Sequence, residues 1–342
     1  MNITQTRCAL ICPIVLVFVL TGCLERKEHI VVRPDGSVKI TVNHTSESWD
    51  DMYLGDAWPR LEGGWLAVTS SQVDNEGKET FYLKAEATFP PDVELPSDYE
   101  IPQDHFPATS TVFPTELTIE ERRDGIYYHF KRSYLARPWA YVAQPREMVE
   151  DEIKGMDDRE IDELSPTERR KIITTFAKIE VIKLEAFARA AFDDVAPHAP
   201  QDIWLDLHAA LLSLVELLDY DRIIELMGKA GEPADEEALD EEAKKFEIGA
   251  MDEMGASLRR SGYLSGSQIR EFFGRLDWHR TFYERTEDTS DDTFTISVTM
   301  PGEIVAHNGD NMSGHQVTWE FNGEMFRDRN YDLMVTSRVS GR

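Results

Sequence analysis

Cys23 is the residue of this chain whose chemistry is easiest to name. It ends Leu20-Thr21-Gly22-Cys23, after an apolar run from Ala9 to Val19 and a start that carries Arg7. A charged start, an apolar middle and small residues before a cut are the order of a secretion signal. The run is about twelve residues, where a membrane-spanning helix needs roughly twenty, and Pro13 interrupts it. The other candidates are weaker. The nine His are scattered, with no His-Glu-x-x-His, no Gly-x-Ser-x-Gly and no phosphate-binding glycine loop. His307 and His315 would face each other across a hairpin closed at Asn308-Gly309, with Asp310 nearby. A metal wants three or more ligands and an outer shell that orients them, so exposed hairpin histidines are the expectation. The acidic run Glu232, Asp235, Glu236, Glu237, Asp240, Glu241, Glu242 lacks the alternating ligands and central Gly of a calcium loop. It reads as a solvated helix start favoured by the helix dipole. Asp288 and Asp291-Asp292 read as linker. Among 64 carboxylates nothing singles out a hydrolytic pair. Trp49, Trp58, Trp65 and Trp139 either line an apolar groove or join helices to sheet, with core packing the default. No catalytic, cofactor-binding or metal residue is assigned, and no enzyme activity is expected.

The four residues that end in Cys23 resemble the lipobox of bacterial lipoproteins. The resemblance implies that Cys23 becomes the first residue of the mature chain. Its sulfur would carry a diacylglyceryl group, and its amine often a further acyl chain such as palmitate. An ordinary secreted protein cut nearby is the alternative. With residues 1–22 gone, about 320 residues are left, enough for two ordinary domains or one with a large insertion. Hydrophobic residues make up 41% of the chain, so a core can be buried. The net charge of −28 disfavours nucleic acid, which needs clustered Lys and Arg. It also disfavours anionic lipid head groups, so the body should be held by its lipid and not by a basic patch. Cys8 and Cys12 leave with the signal and Cys23 is lipidated, so the mature domain has no disulfide.

Those strengths and weaknesses need elements to position them. Leu24 to Glu28 is expected to be a five-residue tether reaching about 17 Å. A hairpin follows, His29 to Arg33 with Ser37 to Val42, turned by Pro34-Asp35-Gly36. Ser46 to Arg60 has the makings of a short amphipathic helix. Trp65 to Val73 with Thr80 to Phe89 form a second hairpin, the later strand alternating with period two. Glu116 to Arg122 with Ile126 to Ser133 form a third. From Pro145 to about Glu287 the period is helical. Ser165-Pro166-Thr167-Glu168 is a capping box. Gln201 to Leu218 is apolar over so much of its girth, Leu205 and Leu212 included, that it should be central to a bundle. Asp221 to Met227, Ala234 to Arg260 and Ser267 to about Tyr283 complete the helices. Strands return over Phe294 to Thr299, Glu303 to His307, His315 to Phe321 and Tyr331 to Val339. Late strands most economically pair with early ones. The expected fold class is therefore α+β: a discontinuous antiparallel β domain, 23–140 plus 288–342, with an all-helical insertion at 141–287.

Ile296 to Val305 with Pro301-Gly302, then Asn308-Gly309, then Val317-Thr318-Trp319-Glu320-Phe321, resemble the closing strands of the LppM-type β domain of bacterial envelope lipoproteins. The opening strands, Ile30 to Val42 after a lipidated Cys, fit as well. The helical insertion has no counterpart in the pattern, and the membrane segment that ends some members is missing. The resemblance implies a membrane-attached, non-catalytic domain that binds a lipid-like or amphiphilic molecule, and it brings no catalytic motif. The alternative is an envelope scaffold that docks protein partners on the acidic helices. Attachment would be to the cell membrane or the outer membrane through Cys23, facing the periplasm or the cell exterior. Leu24, in place of the Asp that resembles an inner-membrane retention signal, favours the outer membrane where there is one.

Overall fold

A computed structural model describes residues 24–47, 64–75, 77–91, 93–99, 111–137, 147, 151–156, 159, 164–214, 218–226, 236–290 and 292–341. The chain divides into two compact units. One takes Thr21–Trp139 with Phe282–Arg342, and the other takes Ala140–Thr281.

The first unit is made of strands whose alternation sends every second side chain inward. On β1 (Glu25–Val32) the inward residues are Arg26, Glu28, Ile30 and Val32. β2 (Val38–Ser46) returns antiparallel from a turn in which Gly36 has φ +84° and the Asp35 carboxylate accepts from the Ser37 N–H at 2.9 Å. β3 (Leu66–Val73) and β4 (Glu79–Phe89) form the second hairpin, and β5 (Thr115–Arg122) and β6 (Gly125–Tyr134) the third. After the helices come β7 (Thr293–Thr299), β8 (Glu303–His307), β9 (Asn311–Ser313), β10 (Gln316–Asn322) and β11 (Tyr331–Ser340). Two sheets result, ordered β3-β4-β2-β1-β7-β10-β9 and β5-β6-β11-β8. The late strands thus complete both sheets that the early strands began. One core lies between the sheets, built from Ile30, Ile40, Val42, Ile296, Val298 and Trp319 on one side and Phe130, Leu333 and Val335 on the other.

The α+β class and the discontinuous β domain are as expected, with two differences. First, β1 and β7 are parallel, whereas an all-antiparallel domain was expected. A parallel neighbour requires a long crossover, and the chain from β2 through β6 and the helices runs between β1 and β7. Second, β8 and β10 are not hairpin partners. β8 pairs with β11 in the smaller sheet and β10 with β7 in the larger, so the chain changes sheet at Asn308-Gly309. The Asn308 side chain joins the two. Its Oδ1 accepts from Trp319 Nε1–H at 3.0 Å and from the Met334 N–H at 2.8 Å, and its Nδ2 donates to the Asp332 carbonyl at 2.7 Å. Gly309 fits because a Cβ there would meet Val317 at 2.2 Å.

In the second unit, α1 (Pro166–Val195) starts at the capping box. Glu168 N–H donates to the Ser165 hydroxyl at 3.3 Å, and Ser165 N–H donates to the Glu168 carboxylate at 2.8 Å. α2 (Gln201–Ser213) buries Trp204, Leu207 and Leu211. α3 (Tyr220–Leu226), α4 (Glu236–Ser261) and α5 (Gly266–Thr289) follow, with Gly262 at φ +64° between the last two. α2 is not enclosed all round as expected, since Leu205 and Leu212 are each 51% exposed. They lie seven residues apart, on one side of the helix. The last turns of α5 belong to the β unit. Arg137 holds them there, donating to Thr286 Oγ1 at 2.9 Å with its guanidinium 4.6 Å from the Phe282 ring centre.

Candidate functional site

Period two carries two charges of β1 into the core, and each must meet an opposite charge there. Arg26 donates to Asp292 Oδ2 through Nε at 2.9 Å and through Nη2 at 2.6 Å, and lies over the Phe294 ring. The other Asp292 oxygen accepts the Leu24 N–H at 3.1 Å, and the Leu24 carbonyl accepts the Thr293 N–H at 3.1 Å. Leu24 is 2% exposed and packs with Leu83, Ala67 and Phe81. The expected five-residue tether therefore does not exist, and Asp292 is no linker residue. β1 begins at Glu25, and the position next to Cys23 is already part of the sheet. Cys23 itself lies outside the described residues.

Glu28 is the second inward charge of β1. Arg132, fully buried on β6, reaches across the interior and donates to Glu28 Oε2 at 2.7 Å. Tyr99 donates its hydroxyl to the same oxygen at 2.7 Å. Burial, with the Glu28 charge beside it, pushes the Tyr99 hydroxyl well above its ordinary value, so it stays a donor. Arg132 Nε donates to Thr115 Oγ1 at 3.0 Å, and the guanidinium lies over the Phe113 ring. This pair bolts one sheet to the other. Its sequence signal was the same alternation: Arg26 and Glu28 share a face with Ile30 and Val32, and Arg132 shares one with Phe130 and Tyr134.

Thr115 also borders a groove of about 340 Å³ at the end of the β unit where the β1–β2 turn lies. Its walls include Val38, Pro90, Pro91, Val93, Leu95 and Leu117. β1 has eight residues at about 3.3 Å each, so the groove lies roughly 26 Å along the sheet from Leu24. The volume is at the small end of ligand pockets, and the lining is mixed, with Glu94, Thr115, Glu116 and Thr118 beside the apolar residues.

The remaining candidates fall as follows. His307 accepts the Gly309 N–H on Nδ1 at 3.1 Å and so serves the turn. The change of sheet at Asn308 keeps His307 and His315 from facing each other across a hairpin. Among the described residues no group of three or more His, Cys, Asp or Glu is arranged to hold a metal. Trp65 packs edge-on against Phe89 and Tyr99 in the β core. Trp49, Trp58, Trp139, Glu232, Asp235 and Asp291, and the short helix expected over Ser46 to Arg60, fall on residues outside the description, wholly or nearly so. Among the described residues no helix is long and apolar enough to cross a membrane.

The LppM domain family matches residues 237–326, from α4 through α5 and β7 to β10 and the 3-10 turn Gly323–Phe326. This stretch is thus similar to an LppM domain, as the order of its closing turns and strands had implied. The match takes in α4 and α5, which corrects the expectation that the whole helical insertion stands outside the family's pattern. The NMR structure of the folded domain of Mycobacterium tuberculosis LppM aligns with 94% of this chain and 92% of its own, at 9% identity and a TM-score of 0.27. A superposition that loose carries no argument. No curated protein matches the sequence.

Proposed function

We propose that this is a non-catalytic lipoprotein of the cell envelope, anchored through Cys23, whose β domain takes a lipid-like or amphiphilic ligand in the groove beside Val38 and Leu117. The LppM-type domain supports the envelope lipoprotein part. The observation that carries the binding part is the groove of about 340 Å³, lined by both apolar and polar surface, between the β1–β2 turn, the β4–β5 connection and β5. The anchored edge and the groove lie at opposite ends of β1. The ligand would therefore be held away from the acyl chains of the anchor. Soluble Cys23→Ser protein, purified without detergent, should retain a bound amphiphile detectable by native mass spectrometry. Val93→Arg, at a half-exposed wall position, should lose it. Retention of the same amphiphile by Val93→Arg would refute the groove.

A second reading rests on α2. Leu205 and Leu212 form an exposed apolar stripe beside the exposed carboxylates Asp202 and Asp206. Such a stripe suits a protein partner in the envelope. Cross-links to that partner should vanish in Leu205→Ser/Leu212→Ser and persist in Val93→Arg.

A further inference from the structure

The groove has polar lining as well, and its charge has one sign. Among the described residues that line it, the charged ones are Glu94 and Glu116, and neither Lys nor Arg is present. On the neighbouring strand, Lys131 stands opposite Glu116 in the register. Its ammonium pairs instead with Asp332, at 3.2 Å. Neither Glu94 nor Glu116 has an ion-pair partner among the described residues. Each is exposed. The nearest buried cation is Arg132, behind Thr115. It does not line the groove, and Glu28 already matches its charge. A bound anion would meet two carboxylates and, among the described lining residues, no cation. A bound ammonium would place its charge against the carboxylates and its chain along Val38, Val93, Leu95 and Leu117.

Resting on the reading that this groove holds an amphiphile, we infer that it selects one with a single apolar chain and a positively charged amine head. Exposed charge pairs at the rim are each worth a factor of up to about five in affinity, so the two together give roughly a tenfold preference. The reading and the inference are separated by titrating Cys23→Ser protein with dodecylammonium, dodecanol and dodecanoate, each below its micellar concentration. Calorimetry gives the affinity, and amide chemical shifts locate the site. The expected order is dodecylammonium tightest, dodecanol next and dodecanoate weakest, with a span of at least about tenfold. Glu94→Gln/Glu116→Gln should reduce dodecylammonium binding about tenfold and leave dodecanol unchanged. Equal affinities, or a preference for dodecanoate, would overturn the head-group inference while the amphiphile reading stands. No binding of any of the three, or binding that survives Val93→Arg, would overturn both.

Discussion

Two buried ion pairs hold the β unit at its edge and through its middle. Removing one partner leaves an uncompensated buried charge, which costs about 3–5 kcal/mol. Arg26→Met should therefore lower the unfolding free energy by that amount in urea, and Arg26→Met/Asp292→Leu should recover most of it. If the two single changes simply add, the pair is not coupled as described. Asn308 is solvent-exposed, so its loss is milder. Asn308→Ala should cost about 1–2 kcal/mol and shift the emission of Trp319, whose indole N–H it accepts. At this scale the sequence was legible where chemistry is local, as in the Pro34-Asp35-Gly36 turn. Asp292 was misread as linker because its partners, Leu24 and Arg26, stand more than 260 residues away. The inward phase of Arg26 and Glu28 was visible, but their partners were not.

The elements show which signals travel. The second and third early hairpins, the turn of the first and the start of α1 lie within a residue or so of where turn chemistry, capping and alternation put them, while the strands of the first hairpin run on to Glu25 and Ser46. These depend on neighbours along the chain. Pairing between distant strands does not, which is why the parallel β1–β7 pair and the separation of β8 from β10 went unread. The α1 cap makes a pH prediction. Hydrogen bonds from the Ser165 side chain and backbone, with Arg159 alongside, hold the Glu168 carboxyl down to about 2 from an ordinary 4.5. A carboxyl lower in the folded state contributes stability that is full above about 4.5 and lost as pH falls toward about 2. Glu168→Gln should reduce stability at neutral pH and flatten the acid limb across that window. Ser165→Ala should cost about 1 kcal/mol at neutral pH. α2 offers a paired test of its two sides. Leu211→Ala, on the buried side, should cost about 2–5 kcal/mol, while exposed Leu212→Ala should stay within about 0.5 kcal/mol. Equal losses would mean that the stripe is covered.

The whole molecule follows from where Leu24 sits. With Leu24 locked into the larger sheet, a lipid on the preceding residue would hold the β unit against the bilayer with no slack. The net charge of −28 would otherwise keep it away. More than one acyl chain is needed for a stable anchor, at about 0.8 kcal/mol per buried methylene. A secretion signal ending at Cys23 is a reading of a linear motif alone, and it is put to a direct test by the mass of the N-terminus. The groove was not legible, since its walls come from three segments that only the fold assembles. The most direct test is the mass of the N-terminal peptide from membrane-extracted protein. The account predicts a chain that begins at Cys23 with a diacylglyceryl group on its sulfur. A chain that begins elsewhere, or a free thiol at Cys23, would contradict it.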